Sequence, residues 1–277
     1  MKHYPISIVI PCSDDILIKN CLESIDANVE IIVSLNKPSD AVKKIIDNYP
    51  SIKIIETDKK GIALAYNNGI EATSNDWILL MDSDCVFAKD AIVKMWVMSM
   101  HFLVIKGRIV FQSKGLISSV IARVREFTTS DTINAYSPPL LFNKKIIEEI
   151  GYYFHPDLVW SEDADFNNRV MAKNIQIGYV PEAVIFHKYI LLVQDVKSAF
   201  NYGVGRQIGK ELKIYKPHTI KSAVFNIITV FINTGKIFLK KGLLPALYYF
   251  FLWNPAFRAG TFLQKWFKLH KHYESQK

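Results

Sequence analysis

Cysteine is scarce in this sequence of 277 residues. Cys12, Cys21 and Cys85 are odd in number and lack metal-type spacing, which argues against a disulfide scaffold and against a zinc module. Glycine and proline, at 12 and 11 residues, are too few for a collagen-like or low-complexity chain. Neither GxGxxG nor GxxxxGK(S/T) occurs, so a dinucleotide fingerprint and a Walker-type phosphate loop are both unavailable. No uninterrupted apolar run reaches the roughly 20 residues of a membrane span. Met1–Pro5 carries no signal-like stretch and leads straight into Ile6–Ile10, so the expected compartment is the cytosol or the cytosolic face of a membrane.

Half of the residues are hydrophobic and 22% are charged, the composition of a chain that folds around a core. The net charge of +8 is unevenly placed. Residues 206–277 hold 13 Lys/Arg against 2 Asp/Glu, whereas residues 1–205 hold 21 against 24. This asymmetry predicts two segments, 1–205 and a basic, apolar, helical extension over 206–277. In the extension the cations lie beside blocks of Leu, Ile and Phe. The apolar runs are Ala223–Ile232 and Leu243–Trp253, with Lys236, Lys240 and Lys241 between them and Arg258, Lys265, Lys268 and Lys271 after them. Nucleic-acid binders intersperse cations with isolated stacking aromatics, so this pattern points to an anionic membrane surface and not to nucleic acid. Asn226, Asn233, Lys236 and Pro245 interrupt the runs, which suits peripheral or re-entrant helices. The plainer alternative is a pair of core-packing helices with solvated lysines.

Residues 1–205 read as strand alternating with helix. Ile6–Pro11, Val29–Leu35, Ile52–Glu56, Trp77–Met81 and Val104–Phe111 are strand-like; 14–25, 38–49, 61–73 and 88–98 are helix-like, with Asp14 able to cap the first. That order predicts an α/β fold with a mostly parallel sheet flanked by helices. In such sheets ligands bind beyond the carboxyl ends of the strands, where Pro11-Cys12-Ser13-Asp14-Asp15 and Asp82-Ser83-Asp84 fall.

Two carboxylates one residue apart in a turn, Asp82 and Asp84, can converge on a hard cation such as Mg²⁺ or Mn²⁺, although acids are also ordinary turn residues. Ser161-Glu162-Asp163-Ala164-Asp165 precedes a helical pattern. These acids either serve the helix dipole, with Ser161 as N-cap, or supply a general base for an incoming hydroxyl. His187, after a short apolar run, is either a satisfied buried histidine or a nitrogen ligand beside Asp84. Gly203-Val204-Gly205-Arg206 is either a phosphate-gripping loop or a helix-breaking connection.

The order of these elements resembles glycosyltransferase family 2, the inverting nucleotide-sugar enzymes of the Rossmann-like GT-A fold. Ile8–Pro11 looks like the family's opening strand, Gly61–Asn67 like its glycine-to-asparagine helix, and Asp82-Ser83-Asp84 like its Asp-x-Asp motif. Gly151 with Glu162–Phe166 looks like its glycine and Glu-Asp segment, and Phe186-His187 like its late histidine. The resemblance implies a donor pocket formed by Pro11, Ser13, Asp14, Asn36, Gly61, Asn67, Asp82 and Ser83, with Arg206 closing over the diphosphate. It implies Mn²⁺ or Mg²⁺ held by Asp84, with Asp82 and His187 assisting. It makes Asp163 the general base, with Glu162 on the acceptor side. Trp160, Tyr152 and Tyr153 lie near that base in sequence, and their rings could stack on an acceptor sugar or pack in the core. The implied reaction moves a sugar from a nucleoside-diphosphate donor to a hydroxyl of a glycan or lipid-linked acceptor, in cell-envelope polysaccharide or glycolipid synthesis, at the cytoplasmic face of the membrane. The alternative is a catalytically degenerate GT-A binding module at the membrane. The chain departs from the family at three places: Ser34-Leu35-Asn36 stands where an Asp pair is common, Ser13-Asp14 where Tyr-Asn is common, and Tyr66 where Arg is common.

Overall fold

The computed structural model describes residues 2–59, 61–216 and 220–269, with the side chains of 220–226 left aside; Lys271 and the first residues of the 223–232 run's side chains therefore lie outside the described part. The chain forms two compact units. The first comprises Met1–Val110, Thr132–Pro156 and Glu162–Lys188; the second comprises Phe111–Asp131, Asp157–Ser161 and Tyr189–Lys277.

The first unit is built on an eight-stranded sheet. Its strands are β1 (His3–Cys12), β2 (Asn28–Asn36), β3 (Lys53–Thr57), β4 (Trp77–Leu80), β5 (Cys85–Phe87), β6 (Val104–Phe111), β7 (Leu140–Asn143) and β8 (Ile177–His187), in the order β3-β2-β1-β4-β7-β6-β8-β5. β1 to β4 pair in parallel, with Val9 opposite Leu80 and Cys12 opposite Leu35. Beyond β4 the pairing turns antiparallel, at β4–β7, β6–β7 and β5–β8. The sheet is therefore a mixed one, parallel on the side that the strand–helix alternation predicts. Ile6, Ile8, Val9 and Ile10 of β1 are fully buried, the continuous apolar run of a strand covered on both faces. The edge strand β3 alternates exposed and half-buried residues instead.

Helix starts differ from the sequence expectation. The helix after β1 spans Ile18–Glu23, and the Leu17 N–H is taken by Asp15, not Asp14, at 3.0 Å. The Ser161 hydroxyl, expected as an N-cap for the helix Glu162–Ala172, is buried without a hydrogen-bond partner among the described residues. Gly151 ends a short helix at φ +85°, a conformation that suits glycine.

The second unit is helical: Leu116–Thr129, Leu192–Glu211, Ile220–Lys241, and Leu243–Tyr248 running through a π turn into Asn254–Phe267. Gly203–Arg206 is neither a phosphate loop nor a connection, because it lies inside Leu192–Glu211. The expected boundary at 205/206 falls within that helix as well. Tertiary packing explains the glycines. A Cβ on Gly203 would stand 1.9 Å from the Phe257 carbonyl oxygen, and one on Gly260 would stand 2.0 Å from that of Phe200. The two helix backbones touch there, and Thr261 donates to the Gly203 carbonyl at 3.0 Å. No helix among the described residues is long and apolar enough to cross a membrane.

Candidate active site

The parallel register brings the carboxyl ends of β1, β2 and β4 together. Ser13 donates to the Asn36 carbonyl at 2.8 Å, tying the ends of β1 and β2. The Asn36 side chain is buried, and its Oδ1 has no hydrogen-bond partner among the described residues. A buried acceptor left unpaired costs stability, so it marks a place where a ligand donor fits. Pro11, next to last in β1, is half-buried, whereas Ser13 and Asp14 are exposed just beyond the strand. Gly61 opens the helix Ile62–Glu71.

Asp82 and Asp84 follow β4 directly. Strand β5 begins one residue later, and its antiparallel register sets Cys85 opposite His187. That pairing carries a residue about a hundred positions away to the Asp-x-Asp turn: His187 Nε2 lies 3.3 Å from Asp84 Oδ2. His187 Nδ1 is 2.6 Å from the Lys188 carbonyl, so the ring faces an acceptor at each nitrogen, and in its charged form Nδ1–H donates to that carbonyl and Nε2–H to Asp84. Lys188 Nζ stands 3.4 Å from the same Asp84 oxygen and 3.8 Å from Asp15. Burial would raise the Asp84 pKa, but the hydrogen bond and charge of His187, with Lys188, win and hold it at about 2. His187 is itself raised, since Asp84 outweighs desolvation. The ligand atoms of Asp84, Cys85 and His187 lie within 4.8 Å of one another. Burial pushes the Cys85 thiol well up, which disfavours a thiolate, so the usable donors are carboxylate oxygen and imidazole nitrogen. This donor set fits Mn²⁺ or Mg²⁺, with the imidazole tilting the preference to Mn²⁺.

Asp82 is held differently. The buried Tyr66 hydroxyl donates to Asp82 Oδ1 at 2.8 Å and meets Ser137 Oγ at 3.1 Å. Desolvation, then the charge of Asp84, raise the Asp82 pKa to about 6. The charge of Asp163 adds to that rise, so the two carboxylates share one electrostatic environment. Asp163, in the first turn of Glu162–Ala172, accepts from the Ala164 N–H at 2.6 Å. Desolvation raises it to about 6 against the opposing pull of that N–H and of Lys106. Asp165, by contrast, is buried and paired with Arg169 at 2.9 Å, a structural clamp whose guanidinium also holds the carbonyls of Ile150, Tyr152 and Tyr153. Glu162 is buried in the same turn, near enough for its charge to reach Tyr66.

The sequence gives no sign of Lys106 and marks Tyr66 only as a departure from the family pattern. Lys106, on β6, is 1% exposed. Its Nζ donates to the carbonyls of Tyr136 and Pro138 at 2.6 and 2.7 Å. Desolvation lowers its pKa to about 7, with Asp163 and Asp82 pulling it back up. Lys106 thus fixes the segment that sets Ser137 against Tyr66, and Tyr66 in turn against Asp82.

Five further residues of the expected site have these surroundings. Both ends of the Asn67 amide are committed to the Phe154 backbone, at 2.8 and 3.2 Å, so Asn67 braces that segment and is not free for a donor. Tyr153 packs on Phe142 and donates to the Lys144 carbonyl, which places it in the core. Tyr152 has the Arg169 guanidinium 3.8 Å over its ring, leaving one face at most for a sugar. Trp160 packs against a cluster of Leu158, Val204, Ile208 and Tyr215 in the second unit. In that unit Arg206 is exposed, its guanidinium 4.5 Å over the Tyr215 ring.

Residues 7–98 match the family model described as Glycosyl transferase family 2. No curated protein matches the chain. Among solved structures, the mannosyltransferase PcManGT from Pyrobaculum calidifontis, in complex with GDP-Man and Mn2+, aligns over 96% of this chain and 88% of its own, with a TM-score of 0.61 and 14% identity. S. aureus TarS aligns over 72% of this chain at a TM-score of 0.52 and 16% identity, and this chain spans only 39% of it. The 1–349 portion of TarS aligns over 94% of this chain and 91% of its own, at 0.53 and 14%. At these identities the likeness is one of fold, a GT-A-like mixed sheet flanked by helices. The match to the family 2 model covers residues 7–98, from β1 to the helix that follows β5.

Proposed function

We propose that the chain transfers a sugar from a nucleoside-diphosphate donor to a hydroxyl of a glycan or lipid-linked acceptor, with inversion at the anomeric carbon and with Mn²⁺ or Mg²⁺ at Asp84, His187 and Asp82. The observation that supports this reading is that two unlike acids, Asp84 after β4 and Asp163 in the first turn of a helix, both act on the Asp82 carboxylate. Asp84 is strongly ionised beside an imidazole, whereas Asp163 is raised to about 6. A group poised near neutrality suits proton abstraction, and a strongly ionised one suits a cation. When bound, the cation offsets the charge that develops on the leaving diphosphate.

The acceptor oxygen attacks the anomeric carbon, the bond from that carbon to the diphosphate oxygen breaks, and the acceptor proton passes to Asp163. Lys106 favours the ionised form of Asp163, and Tyr66 orients Asp82; both are positioning residues. Asn36 Oδ1 offers an acceptor to an N–H of the nucleobase, the place where the family commonly uses Asp. Cell-envelope polysaccharide or glycolipid synthesis is the setting that this acceptor class suggests.

The test is donor turnover by the purified full chain over a panel of nucleotide sugars with Mn²⁺ and suitable acceptors. We expect one donor to be consumed and Asp84→Ala to abolish its consumption. A wild type as inert as Asp84→Ala with every donor would instead support a binding module that has lost catalysis.

A further inference from the structure

The second unit exposes an unusual amount of apolar surface. On the helix Ile220–Lys241, the exposed residues Ile227, Ile228, Phe231, Ile232, Phe238 and Leu239 recur at three- and four-residue steps, which is one stripe of the helix, and Leu239 is 82% exposed. Lys236 and Lys240, both exposed, fall along one border of that stripe. The stripe continues across a groove of about 350 Å³, with Phe231, Gly235 and Phe238 on one side and Leu243, Leu247 and Phe250 on the other. Leu244 and Phe251 are exposed on the next segment. The last helix adds exposed Phe262, Trp266 and Phe267 beside exposed Arg258, Lys265 and Lys268.

We propose that this face docks on an anionic phospholipid bilayer, with the helices lying in the plane of the interface. Charge complementarity selects the occupant. From residue 206 to 269 the only carboxylate is Glu211, and it is bound by Lys268 at 2.9 Å and by Gln207 and Gln264. Nothing acidic in those helices is left to repel a lipid phosphate. A protein partner's contact surface is depleted in lysine, whereas an amphipathic helix at a bilayer is rich in it. A second copy would set one segment carrying 13 cations and 2 anions against another. Long lysine stems can lie along the apolar stripe while their ammonium groups reach the headgroups. Since no described helix can span a bilayer, the apolar stripe enters only to the depth of the headgroup–acyl boundary. Docking so placed would hold a transferase against a lipid-linked acceptor, but the docking itself rests on the second unit alone.

The experiment is co-sedimentation of the full chain with phosphatidylcholine vesicles and with vesicles containing phosphatidylglycerol. The wild type should pellet with the anionic vesicles and be released only in part by salt. Lys236→Gln with Lys240→Gln should weaken binding by about fivefold per charge on anionic vesicles. Phe231→Glu with Leu239→Glu should abolish pelleting, and Leu239→Glu alone, at a side chain 82% exposed, should weaken it without lowering the melting temperature. Asp84→Ala should pellet as the wild type does, which separates docking from catalysis. The proposal fails if the chain stays in the supernatant, if moderate salt releases it completely, or if lipid-free protein forms a dimer that Phe231→Glu with Leu239→Glu dissolves.

Discussion

The second unit neutralises its buried acid Asp195, whereas the first, which clamps Asp165 with Arg169, leaves Asp82 and Asp163 without an ion pair among the described residues. In the second, Asp195 is fully buried and answered at once by the Arg125 guanidinium and the Tyr248 hydroxyl, and Lys241 holds Asp131 at 3.2 Å and Glu126 at 3.8 Å. In the first, Asp82 is met by the Tyr66 hydroxyl and Asp163 by backbone N–H groups and the more distant charge of Lys106, with no Lys or Arg ion pair on either among the described residues. Desolvation raises both to about 6. An acid that only holds a fold is neutralised by its neighbours. An acid left under-compensated at strand ends costs stability and is available for chemistry.

Paired substitutions would break this comparison most directly. Asp195→Ala leaves the Arg125 charge buried and should destabilise the chain by about 3–5 kcal/mol. Asp163→Asn removes a group whose ionisation burial opposes, so thermal unfolding should show no loss, while kcat falls by about 10²–10⁴. If Asp163→Asn instead unfolded as readily as Asp195→Ala, the distinction between the two kinds of acid would collapse.

A smaller effect sharpens it. If Asp163 is the base, kcat/KM should rise with pH through an acid limb near 6, since only the carboxylate accepts a proton. At that pH Lys106, with a pKa of about 7, is charged and favours the ionised carboxylate. Lys106→Met should therefore move the limb to higher pH. A limb that stays in place, even with a lower rate, would reduce Lys106 to a structural clamp on Tyr136 and Pro138.

Much of the first unit was legible in sequence. β1, β2, β4 and β6 follow their apolar runs, and the acids at 82, 84 and 163 stand out because they break hydrophobic or helical patterns at element ends. Other features were hidden because they depend on tertiary pairing. β5 is only three residues long, and its register with β8 is what delivers His187. Lys106 sits in Val-Ile-Lys-Gly-Arg, where a charge reads as solvent-facing until β7 and the carbonyls of 136 and 138 close over it. Gly203 and Gly205 read as helix breakers, yet one admits the Phe257 carbonyl and the other that of Val159. Local propensity was overridden there by a close helix contact.

The central claim, that Asp84 and His187 hold a divalent cation at the mouth of a donor pocket, is tested most directly by Mn²⁺ binding read from the loss of the free-ion paramagnetic resonance signal. The wild type should bind Mn²⁺, and more tightly when a nucleoside diphosphate is present. Asp84→Ala should lose that binding and His187→Ala should weaken it. Equal Mn²⁺ binding by all three proteins would contradict the account.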